Sequence, residues 1–86
     1  MDDYQVFFAR SARKELEDLP SKVSGRIMKM IEQLQVDPQP PGCKKLEDSG
    51  NLWRVRRGDY RVLYGIDDAL RTVDILAVRH RGDAYR

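Results

Sequence analysis

The stretch WRVRRGDYRVLY, positions 53–64, leaves the chain few folds to choose from. Two runs rich in Val, Leu and aromatic residues flank Gly58-Asp59, the pattern of a tight β-hairpin with those two residues at its tip. In that register Arg57 faces Tyr60, Arg56 faces Arg61, Val55 faces Val62, Arg54 faces Leu63 and Trp53 faces Tyr64. Side chains along a strand point alternately to its two faces, so Trp53, Val55, Val62 and Tyr64 share one face. Arg54, Arg56 and Arg61 then gather on the other. Like charges directly opposite each other weaken a ladder by roughly a few tenths of a kcal/mol or more unless an anion is bound. A merely solvated sheet face would be expected to alternate its signs.

The rest of the charge distribution points the same way. A formal charge of +2 says little by itself, but Leu52 to Tyr64 holds four arginines against the single acid Asp59. Arg79 to Arg86 adds His80 and Arg81, with Asp83 as its acid, whereas other acids collect near the first helical region and at Asp67 and Asp68. A basic patch on one side of the molecule is expected. At 86 residues, with 41% hydrophobic and 35% charged residues, the chain is read as one domain spanning 1–86 with one modest core. The single cysteine, Cys43, precludes an intrachain disulfide and is read as incidental. No apolar run approaches the roughly 20 residues that span a bilayer, and Met1-Asp2-Asp3 does not begin like a signal peptide, so no membrane partner and a cytoplasmic location are expected.

Around the hairpin the pattern predicts an α+β fold. Tyr4 to Phe8 reads as a first strand with Tyr4, Val6 and Phe8 on one face, and Ala9 to Leu19 as a short helix marked by Ala12, Leu16 and Leu19. Pro20 can occupy the first turn of a second helix running to Val36, where Val23, Ile27, Met30, Ile31 and Leu34 recur at helical spacing. DPQPPG, 37–42, cannot continue that helix. A short extended piece at Lys44–Leu46 and a turn at 48–51 lead into the hairpin, whose second strand is expected to reach Ile66. Arg71 to Val78 reads as a last strand, apolar on both faces (Val73, Ile75 and Ala77 against Leu76 and Val78) and so suited to an interior place in the sheet. The expected architecture is two N-terminal helices packed against a mainly antiparallel sheet of about four strands, the first strand beside the last.

Several chemistries drop out. One histidine, one cysteine and scattered acids give no zinc spacing and no magnesium cluster, so no metal and no cofactor are expected. A glycine-rich phosphate loop and a G-x-S-x-G elbow are both absent. Arginine can act without either. Its planar fork grips phosphate oxygens, and several forks together can stabilise a phosphorane-like transition state. In RNA the adjacent 2′-hydroxyl can serve as nucleophile, so a protein need only orient the backbone and move protons. Arg54, Arg56 and Arg61 suit the electrostatic part, Arg81 could reach the same phosphate if the tail folds back, and Tyr85 could stack on a base. Lys44 and Lys45 can extend the basic patch or be an ordinary exposed pair. Trp53 and Tyr64 belong to the core, Tyr60 is open to packing or stacking, and His80 is open to a structural or a chemical role.

The order of residues closely resembles the RelE/ParE toxin superfamily of toxin-antitoxin systems. The resemblance runs over nearly the whole chain: Phe8, Ala12, Lys14 and Leu16 after the first strand, Lys45-Leu46, then LWRVRRGDYRVLY and the closing VRHRGDAY. It implies the compact sheet with helices on one side, an antitoxin of RelB-like kind from a neighbouring gene, and one of two targets. RelE-like members cut messenger RNA in the ribosomal A site without metal; ParE-like members act on DNA gyrase. The RelE-like pattern places basic residues at Arg54 and Arg56, a phosphate-binding arginine at Arg61, another arginine at Arg81 and a stacking tyrosine at Tyr85, with Lys44, Lys45, Arg57 and Tyr60 available for RNA contacts. Familiar members carry lysines at the first two places. Arginine effectively cannot lose its proton, so the general base is not supplied there, and His80 is the side chain whose ordinary pKa lies near neutrality. The expected function is therefore a metal-independent endoribonuclease toxin. A gyrase inhibitor and a non-catalytic RNA-binding domain are the alternatives.

Overall fold

The computed structural model describes residues 3–46 and 50–80. Arg81 and Tyr85 lie outside the described residues, as does part of the expected 48–51 turn. The element order is β1 (Gln5–Phe8), α1 (Arg10–Glu17), α2 (Ser21–Val36), β2 (Lys44–Lys45), β3 (Leu52–Arg57), β4 (Tyr60–Asp67) and β5 (Thr72–His80). Pro20 stands one position earlier than expected: it is the N-cap of α2, and its carbonyl accepts the N–H groups of Val23 and Ser24. There the missing proline N–H costs the helix nothing.

The strands form a five-stranded sheet in the order β1-β5-β4-β3-β2. The expected count of about four is compatible with this, the fifth strand being the expected short extended piece, which pairs with β3 as a two-residue edge strand. The hairpin register is the expected one from Trp53↔Tyr64 to Arg57↔Tyr60. Gly58 has φ +60° and Asp59 does not share it, the signature of a type II′ turn, whose twist matches that of the strands. β1 lies beside β5, as expected of the first and last strands, and runs parallel to it.

Both helices cover the same sheet face. Ala12 and Leu16 of α1 and Ile27, Met30, Ile31 and Leu34 of α2 close over Val55, Val62, Tyr64, Ile66, Val73, Ile75 and Val78. The Tyr64 ring is wholly buried, and its hydroxyl donates to the Pro38 carbonyl at 2.7 Å, fastening the α2–β2 connector to the core. Burial first, then the neighbouring Cys43 thiol and Asp37 carboxylate, pushes this phenol well above the usual tyrosine range. At the hairpin mouth the Trp53 indole N–H donates to the Asn51 side-chain oxygen at 2.7 Å, while the Asn51 amide donates to the Ile66 carbonyl.

β5 departs from the expected pattern in an instructive way. It does lie between two neighbours, but only one of its faces is covered: Asp74 is exposed and Leu76 is 37% exposed on the other. The alternation also breaks. Leu63 pairs with Ala77 and Tyr64 with Ile75, so Leu76 is left without a partner as a β-bulge. Val73 and Ile75 face the helices before the bulge, and Val78, not Ala77, faces them after it. Beyond Ile75 the edge of β5 has passed the end of β1, and α1 takes over: the Val78 N–H donates to Glu15 Oε1 at 3.0 Å.

Candidate functional site

The sheet face turned away from the helices carries the hairpin arginines. Direct pairing of Arg56 with Arg61, and of Arg61 with Arg79, sets three arginines in one row across β3, β4 and β5. Adjacent strands lie about 4.8 Å apart, so the row spans about 10 Å between its outer backbones. One step along the strands, Arg54 faces Leu63 on β4 and Lys44 on β2, placing a guanidinium and an ammonium beside the row. Arg54 and Arg61 are half-buried, whereas Arg56 and Lys44 are exposed. Among the described residues no acid lies within ion-pair distance of Arg54, Arg56 or Arg61. Arg79 is held by Glu15, its Nε 2.7 Å from Glu15 Oε2, so the carboxylate that closes the strand edge also orients the end of the row.

Simple electrostatics shows what the row needs. Two unit charges about 5 Å apart in water repel by roughly 1 kcal/mol. A hydrogen bond between such a group and an anion returns about 1.5–3 kcal/mol. One phosphate seated between two of these forks therefore more than offsets their mutual repulsion, and its oxygens match the planar forks. This arrangement can hold a phosphodiester and favour additional negative charge on it.

The other sequence-derived candidates divide by face. Lys45 faces Trp53 and so points to the helix side, away from Lys44. Arg57 and Tyr60 form the last pair before the tip, also on the helix side, with Arg57 exposed and Tyr60 half-buried against the core. His80 pairs with Tyr60, and the two rings meet edge-to-face with centroids 5.0 Å apart at 71°. The strand register thus sets His80 with Tyr60 and away from the face of Arg54, Arg56 and Arg61. Arg79 was not among the sequence candidates. Its neighbour relation to Arg61 follows from pairing the last strand antiparallel with the hairpin, but uninterrupted alternation from Val73 would turn Arg79 inward and His80 outward. The bulge at Leu76 reverses both.

The family model described as the ParE toxin of type II toxin-antitoxin system, parDE, matches residues 6–85. Toxin RelG of Mycobacterium tuberculosis is 37% identical over 84 residues, 96% of this chain and 97% of that protein. Among solved structures, the toxin-antitoxin complex RelBE2 from Mycobacterium tuberculosis is similar at a TM-score of 0.80, 36% identity and coverage of 92% and 99% of the two chains. The archaeal RelE-RelB complex from Pyrococcus horikoshii OT3 gives a TM-score of 0.83, 32% identity and coverage of 93% and 97%.

Proposed function

The chain belongs to the ParE toxin family of type II toxin-antitoxin systems, with RelE and RelG toxins among its relatives, and from that premise we propose that it is a metal-independent endoribonuclease. The proposed substrate is messenger RNA in the ribosomal A site, and the cut inhibits translation. One observation carries this reading: the row Arg56, Arg61 and Arg79, flanked by Arg54 and Lys44, on a sheet face that no described helix covers.

In the proposed reaction the 2′-oxygen bonds to phosphorus as the bond to the 5′-oxygen breaks, and the 2′ proton is passed on while the leaving oxygen gains one. Arg61 and Arg79 hold the non-bridging oxygens, and Arg54 and Arg56 stabilise the charge that builds on them. Arg81 and Tyr85 complete the proposal as a further phosphate contact and a base-stacking ring. The products are a 2′,3′-cyclic phosphate and a 5′-hydroxyl. Proton transfer is assigned to His80, which would have to act around the end of β5; an unchanged pH-rate profile in His80→Gln removes it from this role.

A RelB-like antitoxin is the proposed partner, as RelB is for the relatives solved in RelB-RelE complexes. The match to the ParE toxin family model keeps one second reading in view, the gyrase-directed toxin that the resemblance to ParE-like members implies. Primer extension on actively translated RNA separates the two. Translation-dependent cuts that vanish in Arg61→Ala support the endoribonuclease; DNA damage with translation intact supports the gyrase reading.

A further inference from the structure

The hairpin tip does not end at the arginine face. A small dimple lined by Arg56, Gly58, Asp59, Tyr60 and Arg61 shares its tip residues with a larger cleft on the helix side, between the hairpin and α2. That cleft holds about 260 Å³ and is walled by Val23 and Ile27 of α2, with Arg26 and Arg57 also lining it and Tyr60 on the hairpin side. We propose that this cleft is a second nucleotide subsite, which takes one base of the bound RNA strand against Tyr60 and the adjoining phosphate between Arg26 and Arg57. The proposal rests on the RNA reading above and extends it: the strand crosses the tip from one sheet face to the other.

Three features favour a nucleotide. The cleft is just below the roughly 300 Å³ at which small-molecule pockets begin, so it suits one planar ring and not an extended ligand. Apolar walls accept the faces of a base, and two guanidiniums against the single carboxylate of Asp59 accept its phosphate. The Tyr60 ring is braced by His80 at 5.0 Å, so it offers a fixed surface. The route over the tip is open, since a Cβ added at Gly58 would meet nothing within 4 Å.

The test uses the full chain with fluorescent 2′-O-methyl oligonucleotides, which cannot be cut, of three and of eight nucleotides. The eight-mer should bind more tightly than the three-mer, and Arg26→Gln or Arg57→Gln should weaken the eight-mer roughly three- to tenfold with its salt slope reduced by about 0.7. Neither change should alter three-mer binding, whereas Arg61→Gln should weaken both. Equal effects of Arg26→Gln on both lengths, or none on either, overturn the second subsite while the arginine row stands. Failure of the unaltered chain to bind either oligonucleotide overturns both readings together. If Arg26→Gln spares the eight-mer and weakens a glutamate-rich peptide, the cleft belongs to an acidic protein partner and the proposal falls.

Discussion

The two faces of the β3–β4 hairpin are made by the same twelve residues and do opposite things. On the helix side Val55, Val62 and Tyr64 are buried and Trp53 half-buried, joined to two helices and to the Pro38 carbonyl. On the other side Arg54, Arg56 and Arg61 stand without an acidic partner among the described residues, crowded in a way that does nothing for the unbound fold. Alternation lets one strand pair carry both tasks with little interference. It also means that a slip of one residue would exchange them completely, which is why the turn at Gly58 and the packed face must fix the register together.

If that division holds, the largest effect on folding should come from the packed face. Tyr64→Ala is expected to cost about 3–5 kcal/mol, read as a lower urea midpoint, because it empties a wholly buried ring site. Next comes the open face, where Arg61→Ala should slow RNA cleavage by about 10²-fold or more while the unfolding free energy changes by no more than about 0.5 kcal/mol. A large loss of stability in Arg61→Ala would break the separation. Tyr64→Phe probes the packed face more gently, with an expected cost of about 1 kcal/mol for the hydroxyl bond to Pro38. It also carries a pH signature. The folded chain raises this phenol above its ordinary 10.0, so its contribution is complete below pH 10 and is lost as pH rises from there toward the folded value. Tyr64→Phe should flatten that alkaline decline in a stability-versus-pH series. The smallest effect is the sharpest in sign: Arg56→Glu, opposite Arg61, should stabilise the free protein by roughly 0.2–1 kcal/mol while abolishing RNA binding.

Much of this was legible in the sequence because two independent signals agreed wherever the reading held. The hairpin had both a turn dipeptide and strict alternation, and every expected pair from Trp53↔Tyr64 to Arg57↔Tyr60 is present. Helix α2 had Ile27, Met30, Ile31 and Leu34 at one spacing and proline on either side. Reading failed where a strand was apolar at nearly every position. In Val73 to Val78 no alternation marks which residue is extra, so the bulge at Leu76 left no trace and Arg79 went unnoticed. The same run suggested two covered faces, yet both helices pack on one side and Leu76 remains partly in solvent. Lys44 and Lys45, alike in sequence, end on opposite faces because β2 takes its parity from β3.

The unpaired Leu76 has a consequence for how the site would answer acidity. With the bulge, β5 contributes Arg79 to the row, a group whose charge is constant at any pH a cell meets. A regular ladder that kept Leu76 paired would instead turn His80 toward the row and Arg79 away from it, replacing a constant charge by a side chain of the one type whose charge ordinarily changes near neutral pH. A single backbone irregularity thus sets which side chain stands third in the row, and here it is the one of constant charge.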